Sequence, residues 1–338
     1  MRVHSTATSL SWIPSEAVTG VMRSTFSTGI VHYDEPPPSR LDDLERLRQS
    51  DGFRFANRIE AWAEFSGNEL IDAGQTGGGL MGATTVRLGH LGATFAAVSL
   101  PDLQPDREVG DGWVRFTQTV GGRTALPLPS KISKPPFFRL HAPFVWSTLT
   151  LTLYADGHSE MAMPGASPFP RHWVYGSTGE LELKTGVADW ESWLGQPSWH
   201  ATPWGDQDSP ALVTAAETAL ERELSTLIMR GSAAPRIRTF ATGDVLVRQG
   251  DPGDSVFLLL DGVLSVTVDG EPLAEIGPGA ILGERAIIEA ERRTSTLTAV
   301  TPVRIAEARA DVIDLDALSR LSEGHRREEL SHVAEPRP

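Results

Sequence analysis

Cysteine is absent from the 338 residues of the chain, which excludes disulfides, thiolate catalysis and cysteine-ligated zinc. No apolar run approaches the roughly 20 residues that a membrane-spanning helix needs. Positive charge is also in short supply, since 30 Lys and Arg face 44 Asp and Glu for a net charge of −14. Nucleic acid and anionic membranes are bound by basic faces. We therefore expect neither of them as a main partner.

The first residues, MRVHST, provide neither the apolar region nor the cleavage site of a secretory signal. Together with the missing cysteines and spans, this predicts a soluble cytoplasmic protein. The length is enough for about two domains. Hydrophobic residues make up 40% of the chain, so a sizeable core is available.

Residues 1–205 are dominated by alternating apolar and polar residues, the pattern of β-strands. The clearest case is Val145–Tyr154, where threonine alternates with leucine and a half-buried strand is expected. Asp156-Gly157 then signals a hairpin. The segment predicts a mainly β, antiparallel domain, either a barrel or a sandwich. Its function does not follow from the sequence.

Three stretches of this domain interrupt the strand pattern. Ser39–Arg48 has apolar residues at three-residue steps, which predicts a short helix capped by Ser39. Residues 126–142 contain four prolines and are expected to form a loop. The glycines between 74 and 82 resemble a phosphate loop, but no βαβ unit surrounds them and no lysine follows. A bulged or closely packed strand is the better interpretation.

Candidates for catalysis or metal binding in this domain are His172 and His200, the latter followed by Asp206 and Asp208. A histidine with two carboxylates can bind a metal or transfer protons. However, nothing in the spacing places these side chains on one face. The favoured interpretation is that Asp208 or Ser209 caps the next helix and that His200 is a surface or packing residue. We therefore assign no catalytic residue, no metal site and no catalytic cofactor.

Leucine and alanine recur at steps of three and four over 209–230, which predicts an amphipathic helix. Gly231 ends it, followed by a short linker. The expected organisation is a β-rich domain at 1–205, a connecting helix at 206–231 and a further domain at 235–330.

Residues 279–299, GAILGERAIIEAERRTSTLTA, combine glycines, a carboxylate, a short helical run and an arginine. Glycine permits close backbone approach, and a helix that starts after it presents free N–H groups to an anion. An arginine can form a two-point contact with a phosphate. A carboxylate suits such a site only if the ligand also offers a hydroxyl donor, such as that of a ribose. The pattern therefore predicts a small ligand that carries both a phosphate and a ribose.

This stretch resembles the phosphate-binding cassette of cyclic nucleotide-binding domains, with LGERAII at 282–288 and RTST at 293–296. The upstream runs FATGDVLVRQGDPGDS at 240–255 and VFLLLDG at 256–262 also fit. The resemblance covers about 235–330 and implies a β jelly roll with short flanking helices, including a polar helix at Asp314–Leu330. Two departures from the family pattern, Arg285 and Arg292, both add positive charge. Arg292 is also an alternative to Arg293 as the phosphate ligand, although the spacing from Glu284 favours Arg293.

The resemblance implies cAMP or cGMP as the ligand. In it, Glu284 accepts from the ribose 2′-OH, Arg293 pairs with the phosphate, and Gly283 allows close approach. Backbone N–H groups near Ala286 and Thr294 assist, and threonine at 294 is a hint toward cGMP. The implied binding residues are Gly283, Glu284, Arg285, Ala286, Arg293, Thr294 and Ser295.

Three functions remain open from the sequence. The leading hypothesis is a cyclic-nucleotide sensor whose C-terminal domain regulates the N-terminal β-rich domain. The second is a nucleotide-regulated enzyme with its active site at His172 or His200. The third is an assembly or interaction protein, in which the N-terminal domain contacts a protein partner or a second copy and the nucleotide domain has lost binding.

Overall fold

A computed structural model describes residues 1–14, 17–18, 35–88, 91–124, 128–131, 134–135, 138–195, 202–205, 210–230, 235–290, 292–309, 318–323 and 325. The chain divides into two compact units, Met1–Val213 and Thr214–Pro338.

In its described residues, the first unit is built almost wholly of antiparallel strands with two short helices. In chain order its elements are β1 (Arg2–Trp12), α1 (Leu44–Gln49), β2 (Phe55–Ser66), β3 (Glu69–Met81), β4 (Ala83–Leu88), β5 (Leu91–Ala96), β6 (Val98–Ser99), β7 (Glu108–Gly110), β8 (Trp113–Arg123), β9 (Leu128–Lys131), β10 (Phe138–His141), β11 (Phe144–Tyr154), β12 (Ser159–Ala166), β13 (Arg171–Tyr175), β14 (Leu181–Thr185) and α2 (Trp190–Gly195). The boundary between the units falls within β15 (Val213–Ala215).

Two sheets form the body of this unit. One runs β14-β13-β1-β2-β3 and the other β12-β11-β8-β6. Strand β2 shows why they pack: Ile59, Ala61, Ala63 and Phe65 alternate along it and are all buried in one core with Leu149 and Leu151 of β11. The alternation that predicts strands thus also selects the buried face. The predicted mainly β, antiparallel architecture is confirmed.

Strand β11 is more buried than its sequence pattern indicates. Its leucines face the core as expected, but Thr148 and Thr152 on the other face are buried too. Their hydroxyls are satisfied there, since Thr148 Oγ1 lies 2.7 Å from Thr119 Oγ1 and Arg115 Nε donates to Thr152 Oγ1 at 3.0 Å. The half-buried expectation was therefore wrong on the threonine face, because threonine can be buried when its hydroxyl has a partner.

The predicted helix, the proline-rich segment and the glycine-rich stretch of the first unit can each be compared with the structure. Helix α1 starts at Leu44 rather than near Ser39, because Asp43 caps it by accepting from Arg46 N at 2.9 Å. Within the segment expected to be a loop, β9 and β10 pair as antiparallel strands. The glycine-rich stretch is confirmed as a closely packed strand, since a Cβ at Gly77 would lie 2.0 Å from the Arg58 carbonyl oxygen.

His172 lies in the core of the first unit. It has no solvent exposure, and its ring contacts Ser11 Oγ at 2.8 Å through Nδ1 and the Ser167 carbonyl oxygen at 3.1 Å through Nε2. Burial lowers its pKa to about 4, so the ring is neutral near neutral pH. Its partners are hydroxyls and a carbonyl, which supports a structural role for this residue.

The described residues of the second unit form two helices, two four-stranded sheets and a π-helical turn. Its elements are α3 (Ala219–Arg230), β16 (Arg236–Phe240), β17 (Val245–Val247), β18 (Ser255–Asp261), β19 (Leu264–Val268), β20 (Glu271–Ile276), β21 (Ile281–Leu282), a π-helical turn (Ala286–Ala290), β22 (Thr296–Ala299), β23 (Val303–Arg309) and α4 (318–323). The sheets run β16-β23-β18-β21 and β17-β22-β19-β20.

The helices of this unit pack on one of its sheets. Leu224 and Ile228 of α3 share a core with Leu318 and Leu321 of α4 and with Leu258 of β18. Helix α3 begins ten residues later than the predicted start at 209, because Val213–Ala215 is a strand and Thr218 caps the helix. The predicted helix at Asp314–Leu330 is helical at 318–323 and 325, and its remaining positions lie outside the described residues.

Across the described ranges, none of the helices has the length and apolarity to cross a lipid bilayer.

We expect acid to destabilise the first unit through His172. Its folded pKa of about 4 lies below the ordinary value, so the unfolded state binds the proton first and stability falls as pH decreases from about 6.5 to about 4. The free energy of unfolding should drop by about 2 kcal/mol between about pH 7 and about pH 5 from this residue alone.

Thermal and urea unfolding of wild type and His172→Gln, compared at the two pH values, measures this. The variant should be less stable near neutral pH but should lose less stability on acidification. An equal acid loss in both proteins would show that His172 is not the group responsible.

Candidate functional site

The loop that follows β21 depends on a glycine. Strand β21 pairs with Phe257 and Leu258 of β18, and the chain then turns at Gly283 with a φ of +84°. A helical turn begins at the next residue, Glu284, and continues into the π-helical turn. A Cβ at Gly283 would lie 2.3 Å from Arg293 Nη1. The turn therefore needs glycine for its conformation and for the space that Arg293 occupies.

Arg293 is a buried cation whose position is set by several contacts. The residue is 5% exposed, and Nη1 donates to the carbonyl oxygens of Ser255 at 2.9 Å and Gly283 at 3.2 Å. Nη2 donates to Ser255 Oγ at 3.2 Å, and the guanidinium carbon lies 4.8 Å from the centre of the Phe257 ring. The buried Nε has no hydrogen-bond partner among the residues described.

The charge of Arg293 is held in a poorly solvated place. Burial lowers the pKa of its guanidinium, while the nearby carboxylates of Asp254, Glu307, Glu284 and Asp251 act in the opposite direction. The backbone is held on both sides, since Arg293 N donates to the Asp251 carbonyl oxygen at 2.8 Å and the Arg293 carbonyl oxygen accepts from Gly250 N at 2.8 Å. Such an oriented and partly desolvated guanidinium is suited to binding an anion.

Glu284 supplies the carboxylate beside this cation. It is 4% exposed, and its Oε1 lies 2.9 Å from Nδ1 of His325, just beyond α4. The other ring nitrogen of His325 lies 3.5 Å from Glu221 Oε1 on α3. Burial by itself would lower the pKa of His325, but hydrogen bonds to Glu221 and Glu284 outweigh it and raise the pKa to about 10. The imidazole is therefore a cation shared by two carboxylates.

Glu221 belongs to a capping box at the start of α3. Its Oε2 accepts from the backbone N of Thr218 at 2.8 Å, while Thr218 Oγ1 accepts from Glu221 N at 3.3 Å. Its Oε1 also accepts from Ile281 N at 3.2 Å. Burial would raise the pKa of Glu221, but the hydrogen bonds from His325, Thr218 and Ile281 lower it. The residue is thus a buried carboxylate with three kinds of donor.

These groups surround a cavity of about 340 Å³, a size within the usual range for small-molecule sites. All seven residues implied by the sequence line it: Gly283, Glu284, Arg285, Ala286, Arg293, Thr294 and Ser295. The apolar part of the wall comes from the strands, through Val247, Val266, Val268, Leu273 and Leu297. The structure thus brings together one buried cation, buried carboxylates and an apolar face. The binding roles of the seven residues remain predictions.

Several lining residues were not identified from the sequence. Glu217, Thr218, Glu221 and His325 all border the cavity. The pair Thr218 and Glu221 carries the local signature of a capping box, a threonine followed three residues later by a glutamate. That signature could have located both the start of α3 and Glu221. His325 has no comparable local signal, because its partners lie far away in the sequence.

The other candidates do not join this site. Arg292, the alternative phosphate ligand, is exposed, donates to the Gly250 carbonyl oxygen at 2.7 Å and is not part of the cavity lining. His200, Asp206 and Asp208 lie outside the described residues. In the described part of the chain, no three histidine or acidic side chains are grouped as metal ligands.

Comparison with known proteins assigns this region. Residues 237–314 match the family model of the Cyclic nucleotide-binding domain. The second unit therefore contains a cyclic nucleotide-binding domain, as the sequence resemblance implies.

Two relatives and one solved structure illustrate the match. A cyclic nucleotide-gated potassium channel of Mesorhizobium japonicum is 42% identical over 72 residues, 21% of this chain and 20% of the channel. A cGMP-dependent protein kinase of Plasmodium berghei is 36% identical over 63 residues, 19% of this chain and 7% of the kinase. The regulatory domain of Toxoplasma gondii PKA with cAMP aligns at 22% identity and a TM-score of 0.25, over 31% of this chain and 48% of that chain.

The chain thus spans a fifth or less of the two relatives, and the match to the family model lies in its second unit.

We expect Gly283→Ala to cost more stability than Gly243→Ala, although both glycines have nearly the same positive φ, +84° and +86°. At either position alanine must adopt the left-handed backbone conformation, which lowers the free energy of unfolding by about 1–2 kcal/mol. Only at 283 does the new Cβ meet Arg293, whereas nothing lies within 4 Å at 243. The additional loss at 283 should be about 1–3 kcal/mol, the usual cost of overpacking.

Urea unfolding of the two variants beside wild type measures the difference. Equal losses would mean that Arg293 does not occupy the space at Gly283 in solution.

Proposed function

We propose that the second unit is a cyclic-nucleotide sensor, in which cAMP or cGMP occupies the cavity and its occupancy regulates the β-rich first unit. The observation that carries the proposal is the buried guanidinium of Arg293, oriented by Ser255 and Phe257 and placed beside the nearly buried carboxylate of Glu284 in one cavity.

Arg293 binds the phosphate of the nucleotide in this proposal. Its guanidinium is fixed before any ligand arrives, so little side-chain entropy is lost on binding. A cyclic phosphate accepts charge-assisted hydrogen bonds from it, each worth about 1.5–3 kcal/mol. The loop backbone near Ala286 and Thr294 also borders the cavity and supplies N–H donors in this proposal.

Glu284 accepts a hydrogen bond from the ribose 2′-OH in this proposal. An ionised carboxylate only accepts hydrogen bonds, so it repels a bare phosphate and favours a ligand that carries a donor next to its anion. A ribose 2′-OH beside a cyclic phosphate is such a donor. The pairing of Glu284 with Arg293 thus favours a cyclic nucleotide over inorganic phosphate.

The nucleobase contacts the apolar wall of the cavity in this proposal. Val247, Val266 and Leu273 line the cavity from the strands and provide a surface for the face of a purine. Thr294 also lines the cavity. By the family resemblance, a threonine at this position favours cGMP as the ligand. Direct titration with both nucleotides decides between cAMP and cGMP.

Regulation of the first unit is supported by the relatives. Their names describe a channel gated by cyclic nucleotide and a kinase dependent on cGMP, so in each of them the nucleotide is tied to an activity. We infer the same relation for this chain. It requires that the nucleotide bind two states of the protein with different affinity.

Substitution of Arg293 tests nucleotide binding. Arg293→Lys keeps a positive charge but loses the planar fork, and Arg293→Ala removes both, so we expect affinity losses of at least about 10-fold and about 100-fold. Isothermal titration calorimetry of the full chain with cAMP and with cGMP measures this. Arg292→Ala is the matched control, because it removes the same charge next to the cavity and should bind like wild type.

Binding that survives Arg293→Ala, or that is lost equally in Arg292→Ala, would contradict the assignment of Arg293. Absence of binding to either nucleotide in the folded wild type would overturn the sensor proposal.

Regulation has its own test, in the amide hydrogen exchange of residues 1–213. Saturating nucleotide should change exchange at amides of the first unit, because a regulated unit must respond to ligand bound elsewhere. Arg293→Ala with the same nucleotide is the control and should show no change. If exchange changes only in residues 214–338, the domain binds nucleotide but does not regulate the first unit.

A further inference from the structure

His325 connects the site carboxylate to the start of α3. Its Nδ1 lies 2.9 Å from Glu284 Oε1 and its Nε2 lies 3.5 Å from Glu221 Oε1. The side chains of the two glutamates are 5% and 6% exposed, and that of His325 is 22% exposed. A protonated imidazole has two N–H donors, one for each carboxylate. His325 is therefore a shared counter-ion in a place where an unpaired charge is costly.

Glu221 extends this contact to two other elements. The same oxygen that faces His325 accepts from Ile281 N at 3.2 Å, at the start of β21. The second oxygen accepts from Thr218 N at 2.8 Å and from Thr218 Oγ1 at 3.0 Å. Glu221 thus joins the first turn of α3 to the strand that leads into Gly283 and Glu284.

Glu284 has few partners besides His325. Within the described residues, His325 is the one side chain that forms a hydrogen bond to its carboxylate. Both residues line the same cavity. A ligand hydroxyl that reaches Glu284 therefore also meets the imidazole ring, and the two donors approach a carboxylate that is almost fully covered.

We propose that His325 and the ribose hydroxyl of a bound nucleotide compete for Glu284, so that binding releases His325 from Glu284 and changes the contacts of Glu221 at the first turn of α3. This inference rests on the proposed function and adds a route by which occupancy of the site is transmitted. His325 acts here as a positioning residue, through the two carboxylates.

The competition predicts how much the hydroxyl contributes to affinity. In this proposal the wild-type hydroxyl displaces His325 from Glu284 and so gives up an existing charge-assisted bond, which makes its net contribution small. In His325→Ala the carboxylate has lost that partner and the hydroxyl contributes fully. A hydrogen bond to a charged group of this kind corresponds to about a 10-fold or greater change in affinity.

The experiment compares each nucleotide with its 2′-deoxy analogue, using cAMP, 2′-deoxy-cAMP, cGMP and 2′-deoxy-cGMP on the full chain. Calorimetry gives the ratio of the two dissociation constants for each protein. The ratio should be at least about 10-fold larger in His325→Ala than in wild type. An equal ratio in the two proteins would overturn the competition while leaving nucleotide binding intact.

Two further variants make the result specific. Arg320→Ala removes one exposed positive charge from α4 and should keep the wild-type ratio, which separates competition from a change in net charge. His325→Gln retains one side-chain donor and should give an intermediate ratio. It also provides the comparison if circular dichroism shows that the alanine variant is unfolded. A ratio in His325→Gln equal to that of wild type would then overturn the proposal.

The transmission step has a separate readout in hydrogen exchange at residues 218–224. Exchange there should increase when wild type binds the nucleotide but not when it binds the 2′-deoxy analogue, because only the hydroxyl displaces His325. An identical response to both ligands would refute transmission through Glu221. If neither nucleotide binds wild type at all, the proposed function fails and this inference fails with it.

Discussion

Arg293 holds a positive charge where little water reaches it, and much of the second unit is arranged to permit this. The guanidinium lies over Phe257 and donates to Ser255 and Gly283, with four carboxylates near it. A desolvated charge is stable only when its partners are fixed in advance. The close pairing of β18 with β21, and the glycine turn after β21, are what fix them here.

Two glycines set the space for that side chain. A Cβ at Gly253 would lie 2.6 Å from Arg293 Nε, and one at Gly283 would lie 2.3 Å from Nη1. The rotamer of Arg293 is therefore determined partly by the side chains that its neighbours lack. This arrangement explains part of the sequence motif, since the space that Arg293 occupies requires glycine at 283.

The sequence predicted features that depend on local pattern and missed those that depend on distant partners. The alternation of apolar and polar residues predicted strands β2 and β11. The order of glycine, glutamate and arginine in the sequence predicted the residues between 283 and 295 that line the cavity. The late starts of α1 and α3 were missed because the caps Asp43 and Thr218 compete with earlier candidates. Thr148 and Thr152 of β11 were expected to face solvent, but partners for their hydroxyls on β8 allow their burial. His325 was missed because only the fold brings it to Glu221 and Glu284.

Two histidines, the buried His172 and the half-buried His325, show how far the environment decides the chemistry of one side chain. His172 meets hydroxyls and a carbonyl in the first unit, and burial lowers its pKa to about 4. His325 meets two carboxylates in the second unit, and their hydrogen bonds raise its pKa to about 10 in spite of burial. Near neutral pH the first is uncharged and the second is a cation.

The capping box of α3 has a consequence for local motion. Helix ends usually fray at almost no cost in free energy, independently of the rest of a protein. Here the capping carboxylate of Glu221 is also bonded to Ile281 and paired with His325. Fraying of the first turn of α3 would therefore leave a backbone N–H of β21 unpaired and a cation half-satisfied. We therefore expect the first turn of α3, the strand before the glycine turn and His325 to open together in local unfolding.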